Sequence, residues 1–497
     1  MIAPVTFESY QEFARRGGLV PVVREFAVDT LTPVMAYAAI ARPPFGFLLE
    51  SLVGGERWAR YTFLGTEPRE AWRYRRGEVT HWKPAAGWGP TGTCSDPLAH
   101  IARQLTSYRT VEMPGLPRFT GGAVGYLGYD FVRTIESLPD GPEDDLGLPD
   151  AFFMLVDTLV VIDNTFGRAL LLANTDVPAN PADTELRRHY ESALERIDTL
   201  LGRLIEPPQL APLSLDPTAS LPTDSPYSRA DFERDVARIQ EYIAAGDVFQ
   251  AVLSRRQDIT VSADPLTVYR ALRALNPAPY LYFLQLDDLT IAGSSPEVLV
   301  RIEDGEITVR PIAGTRPRGS APEEDARLSE ELLADEKELA EHAMLVDLGR
   351  NDVGRVAEYG SVRVTEDQVI ERYSHVQHIV SEVRGRLRPD VDAVAALKAC
   401  FPAGTVTGAP KVRAMEILDG LEPTRRGPYA GAVCYLGWGG ISLDTAIAIR
   451  TAILTGNKAH VQAGAGIVAD SVPAREFEET ENKAGAVLRA LALAARS

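Results

Sequence analysis

Residues 475–485 read REFEETENKAG. Wound as a helix, Glu476, Glu479 and Lys483 fall at i, i+3 and i+7, on one stripe that continues through Ala486 and Ala490. Small apolar residues suit a core-facing stripe. Two carboxylates and one ammonium could then point inward, where charge is costly unless paired or metal-bound. The plainer reading is an acidic, solvated cap at a helix N-terminus. A second pair, Glu338 and Glu341, stands at i and i+3 in DEKELAEHAMLVDLGRND, on a stripe that continues to Leu345 and Leu348. Two helices that each present Glu-x-x-Glu inward would form a hard-oxygen site suited to Mg²⁺. Two acidic solvent faces are the alternative.

Other stretches carry chemistry of different kinds. Read as one strand, TAIAIRTAIL puts Ile447, Ile449, Thr451 and Ile453 on one face and Ala446, Ala448, Arg450 and Ala452 on the other. An arginine among alanines leaves room for a bidentate carboxylate, either from a ligand or from an internal salt bridge. In VQAGAGIV, Gly464 and Gly466 are expected to follow a strand and let a ligand approach backbone N–H groups. AGTVTGAPKVRAMEIL has Gly404, Gly408 and Lys411 but fails the spacing of a nucleotide-binding P-loop. His375 and His378 lie in YSHVQHIVSEV. His378 alternates with Val376 and Val380 on a core-like face, so it is either a hydrogen-bonded core residue or an acid/base.

These residues need a scaffold, and 497 residues are enough for two large lobes. FGFLLES, ARYTFLG and FFMLVDTLVVIDN read as strands in a β-rich region over 1–205. A Pro- and Ser-rich connector follows over 206–227, and then a mixed region over 228–497. There Phe232, Val236, Ile239 and Ile243 keep helical spacing up to Gly246, and VFQAVLSRR, YLYFLQL and EITVRPIAG read as strands. The pattern is α+β with mostly antiparallel strands. GGAVGYLGYD and AGAVCYLGWG echo one another, by duplication or by chance. A net charge of −18 argues against nonspecific nucleic-acid binding, and an anionic substrate would need its own cations. With no apolar run of membrane length and no signal-like start, the expected location is the cytoplasm, without membrane contact. Cys94, Cys400 and Cys434 lack disulfide or zinc spacing.

Taken together, FQAVLSRR, GSSPEVL, RPIAGTRPRG, EHAMLVDLGRND, YSHVQHIVS, GTVTGAPKVRAMEI, VQAGAGIV and FEETENKA resemble the chorismate-utilising enzymes, over about 228–490. Upstream, FLLESLVGGERWARYTFLG and GGAVGYLGYDFVRTIE resemble the anthranilate synthase component I branch. The resemblance implies an α+β fold of two large packed sheets with outer helices. It implies that Glu341 and Glu479 hold Mg²⁺, with Glu338 and Glu476 as further acidic partners. Gly314, Thr315, Tyr429, Arg450, the turn Gly464, Ala465 and Gly466, and Lys483 would position the two carboxylates of chorismate. Glu297 would be the general acid, His378 would move a later proton, and Thr405 would line the pocket.

Two positions choose within the family. Relatives that use water carry a lysine base where this chain has Gln250, and aminodeoxychorismate synthases commonly carry a nucleophilic lysine where it has Ala313. With neither present, ammonia is the implied nucleophile and anthranilate with pyruvate the implied products. LLES and NPAPY, with Glu50, Ser51, Pro279, Tyr280 and Leu281, resemble the family's tryptophan feedback site. No glutaminase-like cysteine context occurs. A separate glutamine amidotransferase subunit, component II, is therefore expected, in a heterotetramer.

Overall fold

The computed structural model describes residues 6–15, 17–52, 60–111, 113–139, 141–216, 218–373 and 376–497. His375 lies outside them. The apolar runs become strands of two large sheets, and every ladder between these strands is antiparallel. In the first sheet the spatial order is Gly18–Ala27, Arg168–Val177, Thr158–Asp163, Tyr61–Thr66, Phe45–Glu50, Tyr280–Leu286, Leu289–Ser295, Thr451–Thr455, Lys458–Ile467, Gln250–Thr260 and the short Gly408–Ala409. The second runs Ile312–Pro317, Val376–Arg386, Glu306–Val309, Val298–Glu303, Leu443–Ile447, Ala432–Gly437, Gly122–Leu127, Ala151–Val156, Glu70–Arg75, Glu78–Lys83 and Gly87–Trp88.

Each sheet is therefore half N-terminal and half C-terminal. The halves meet where Phe45–Glu50 pairs with Tyr280–Leu286, and where Gly122–Leu127 pairs with Ala432–Gly437. The second joint is made by the two strands whose sequences echo one another. Apart from the two-residue Gly408–Ala409, each half also lays down its strands in the same succession: three in the first sheet, an excursion through the second, then two more in the first. The resemblance between GAVGYL and AVCYLG thus sits on a repeated topology.

Aromatic side chains join the facing sheets. Phe63 touches Tyr435 with ring centroids 5.5 Å apart, and Phe45 touches Phe152 at 6.0 Å. Burying each such ring contributes about 2 kcal/mol. The outer helices have readable limits. Ser228 caps Arg229–Ala244 by accepting from the Asp231 N–H, Phe232, Val236 and Ile239 face the core, and Gly246 takes φ +85° just past the end. Asp335 caps Glu336–Gly354 by accepting from the N–H groups of Lys337 and Glu338. That helix packs on Ile312–Pro317 and Val376–Arg386, and the helix Pro473–Ala495 packs on Lys458–Ile467. The acidic pairs are thereby brought to neighbouring parts of the molecule. Between Ile205 and Arg229 the described residues form no helix and only an isolated bridge, Asp224 to Asp258. No described helix is long and apolar enough to cross a membrane. All three cysteines are unpaired.

Candidate active site

The C-terminal helix differs from the stripe drawn on it. Its buried face runs through Phe477, Thr480, Ala484, Val487 and Leu491. Glu476 and Lys483 lie at the margin of that face, as does Ala486, and Glu479 is exposed. Lys483 Nζ makes an ion pair with Glu479 Oε1 at 2.7 Å and donates to the Gly464 carbonyl at 3.0 Å. Glu476 occupies the first turn, but it is not a simple solvated cap. Burial holds its carboxyl above the usual range, and the charge of Glu479 adds to the effect.

Across the cleft, burial raises the pKa of Glu341, and Glu338 one turn away and Glu479 on the other helix raise it further. Gln250 Nε2 donates to Glu341 Oε1 at 3.4 Å. Glu338 is paired with Arg316 at 3.3 Å. The four carboxylates thus share one field, although among the described residues no three His, Cys, Asp or Glu side chains close on a single point. Glu341 and Glu476 form no ion pair among the described residues, and both carboxyls resist ionisation. A divalent cation between the helices would relieve both, so the donor set fits a hard ion with open positions for other oxygens.

Arg450 requires a correction. TAIAIRTAIL is two strands, Leu443–Ile447 in the second sheet and Thr451–Thr455 in the first, so the alternation over Ala446–Ile453 does not hold. The crossover between sheets falls at Ala448–Arg450, where Arg450 adopts φ +51°. Its guanidinium has no carboxylate partner among the described residues, and burial lowers its pKa. Its charge acts on Tyr429 and on His378, which places the three in one neighbourhood.

The glycine pair is corrected too. Gly464 and Gly466 lie inside the strand Lys458–Ile467 rather than in a turn after it, and Ala465 between them is fully buried in the core. Both glycines serve close approach. A Cβ at 464 would lie 3.0 Å from the Tyr429 hydroxyl, and one at 466 would lie 2.3 Å from Gln250 Nε2. Opposite them, Gly314 takes φ +63° at a bulge in Ile312–Pro317, where a Cβ would meet Leu332 at 2.9 Å and Glu338 Oε2 at 3.3 Å.

Two groups can move protons. His378 Nδ1 lies 2.9 Å from the Gly314 carbonyl and 3.2 Å from the Thr315 hydroxyl. Donation from Nδ1 to that carbonyl leaves Nε2 as the acceptor. Burial lowers the pKa of His378, the Arg450 charge lowers it further, and the ring is neutral at pH 7. Glu297 is 8% exposed, and burial pushes its carboxyl up to about 8, with Thr405 and Lys483 pulling weakly the other way. A protonated acid and a neutral base thus coexist in one cleft. The Thr405 hydroxyl oxygen is buried, in the short turn Gly404–Val406.

A second cavity lies between the sheets. Glu50, Ser51, Pro279, Tyr280 and Leu281 all line it. Glu50 is held by Arg273 at 2.7 and 3.1 Å and by the Tyr269 hydroxyl at 2.5 Å. Arg118, Arg301, Asp444 and Tyr435 complete the wall and were missed in the sequence, as was the contact of Gln250 with Glu341. Asp444 accepts from Arg301 at 2.7 Å and from the Tyr280 hydroxyl at 2.9 Å. Arg301 between Val300 and Ile302 in LVRIE, and Asp444 after Leu443 in LDTAI, were the available signal, a charge set within each apolar strand run.

Residues 61–489 match the family model of chorismate binding enzymes. The chain is 48% identical to anthranilate synthase component 1 of Pseudomonas putida over 97% of its length and 98% of the relative. It is 44% identical to that of Acetivibrio thermocellus, with 98% of each covered. Among solved structures it resembles anthranilate synthase component I of Streptococcus pneumoniae, with TM-score 0.77, 37% identity, and 93% and 99% of the two chains covered. A menaquinone-specific isochorismate synthase from Escherichia coli shares the fold at TM-score 0.71 and 19% identity, covering 99% of this chain and 100% of that one.

Proposed function

This chain belongs to the chorismate binding enzymes, in the anthranilate synthase component 1 branch, and from that premise we propose that it converts chorismate and ammonia into anthranilate, pyruvate and water, a step of tryptophan biosynthesis. The observation that carries the reading is Arg450, a guanidinium without a carboxylate partner among the described residues, beside a neutral imidazole. A dicarboxylate substrate would supply what Arg450 lacks, with Tyr429, the Gly464–Gly466 segment, Gly314, Thr315 and Lys483 completing the grip. Glu341 and Glu479, with Glu338 and Glu476 beside them, would hold Mg²⁺, which when bound would neutralise the ring carboxylate and draw electrons from the ring.

Glu297 would donate its proton to the departing ring hydroxyl as ammonia forms the new C–N bond. His378, through Nε2, would take the ring proton next. The C–O bond to the enolpyruvyl group then breaks and pyruvate leaves an aromatic ring. Thr405 would line the pocket beside Glu297. Ammonia would come from glutamine through a separate amidotransferase subunit, in keeping with a chain of the component 1 type. The test uses the purified chain with chorismate, Mg²⁺ and ammonium at mildly alkaline pH, following anthranilate fluorescence. Turnover that needs Mg²⁺ supports the reading, and chorismate consumed without anthranilate would overturn it.

The inter-sheet cavity would take tryptophan as a feedback inhibitor, since a few charged and hydroxyl groups from both sheets are set among apolar walls, the pattern of a small-molecule site. Ser51 is 8% exposed and lines it. Ser51→Leu is expected to raise the half-inhibitory tryptophan concentration at least about tenfold, since three extra carbons occupy the ligand's space, while kcat stays within about twofold. Dose–response curves on the two proteins check this. An unchanged curve would remove tryptophan from the cavity.

A further inference from the structure

Arg450 carries a side chain in a left-handed backbone conformation, φ +51°, which costs about 1 kcal/mol unless its surroundings hold it there. The holding groups are identifiable. The Tyr282 hydroxyl lies 2.7 Å from Thr451 Oγ1, and Thr451 Oγ1 donates to the Ile449 carbonyl at 2.8 Å. On the other side of the turn, the Ser294 N–H donates to the Arg450 carbonyl at 3.1 Å. The peptides before and after Arg450 are thus both fastened, by groups from two neighbouring strands.

Tyr282 reaches that turn by an unusual route. In register, Tyr282 pairs with Gly293, and Gly293 pairs with Thr451. The tyrosine ring lies across the middle strand, where a Cβ at 293 would fall 2.2 Å from a ring carbon. Glycine there clears the path from the first strand to the third. Tyr282 is also 2% exposed and lines the inter-sheet cavity beside Tyr280 and Leu281. One side chain therefore belongs both to the cavity wall and to the support of the arginine turn.

We propose that Tyr282 and Thr451 are positioning residues for Arg450, and that this hydroxyl chain couples the inter-sheet cavity to substrate binding; the coupling rests on the cavity being a tryptophan site. A ligand that shifts the Tyr282 ring withdraws the hydroxyl from Thr451, leaves Thr451 Oγ1 as the lone, unbuttressed donor to the Ile449 carbonyl, and lets Arg450 leave the orientation that meets a carboxylate. Loss of affinity then precedes any loss of chemical rate.

The experiment uses the full chain with Tyr282→Phe, Thr451→Val and Thr451→Ser. Tyr282→Phe and Thr451→Val are expected to raise KM for chorismate about five- to twentyfold with kcat within about twofold, and Thr451→Ser, which keeps the hydroxyl, stays near the parent. Calorimetry should find tryptophan bound by Tyr282→Phe, while saturating tryptophan inhibits it less completely than the parent. Parent-like KM in both Tyr282→Phe and Thr451→Val, or Thr451→Ser as impaired as Thr451→Val, would overturn the positioning role. Raised KM with undiminished inhibition would overturn the coupling alone. Absence of tryptophan binding to the parent would instead strike the cavity reading and leave the positioning result to stand or fall on KM.

Discussion

Glu341→Gln is expected to lower kcat/KM by about 10³-fold, since a metal that stabilises charge contributes several kcal/mol and each 1.4 kcal/mol is tenfold. The substitution keeps shape and the contact with Gln250, which can still pair amide to amide. It removes the carboxylate that faces Glu338 along its own helix and Glu479 across the cleft. The parent carboxyl is raised by burial and like charge, so its ionised form is a cost to the fold above the usual carboxylate range. The variant should then be at least as stable as the parent at neutral pH. That combination separates a site residue from a structural one. Magnesium titration of activity, with a melting curve, is the check. Activity within threefold of the parent and an unchanged Mg²⁺ requirement would remove Glu341 from the metal site.

Glu297→Gln should cost about 10²- to 10⁴-fold in kcat, the range for one general acid. Its pH signature is specific. The carboxyl, moved by burial from 4.5 up to about 8, is protonated and competent at pH 7, and competence is lost as pH rises through about 8. The parent's rate should therefore fall on the alkaline side of about 8, and the residual rate of the glutamine variant should lack that limb. Stability follows the same group with its own sign. The folded state holds this proton more tightly than the unfolded state, so its contribution falls as pH climbs from 4.5 to about 8. A parent melting temperature that declines over this interval more than that of Glu297→Gln is the independent readout. Identical alkaline limbs in the two proteins would exclude Glu297 as the acid.

Local signals were the legible ones. The helix limit at Gly246, and the strand runs of both halves, follow from turn chemistry and alternation that a linear chain displays. The acidic pairs were found because they recur at helical spacing. Arg450 was found for its unusual neighbours, but its geometry was misread, because a strand that ends in one sheet and a strand that begins in the other look continuous in sequence. The exposure of Glu479 was also missed, since periodicity fixes relative angle and not which angle meets the core. Arg301 with Asp444, and Tyr282 with Thr451, depend on pairing between strands more than 140 residues apart in the chain. No local pattern carries that information.

Because each sheet takes strands from both halves, the halves are held together by their strand pairing and not only by the segment 206–227. Cutting the chain there would not release two domains. The pieces would stay clasped through the six-residue register from Phe45 to Glu50 and the matching one from Gly122 to Leu127. Produced separately, each would display two raw strand edges and aggregate; produced together, they would behave as a split enzyme that reassembles without a tether. The inter-sheet cavity lies on that seam, with Glu50 from one piece facing Leu281 from the other. A small molecule lodged there would act as a rivet between the fragments, so tryptophan filling the proposed feedback site would also keep the severed protein from coming apart.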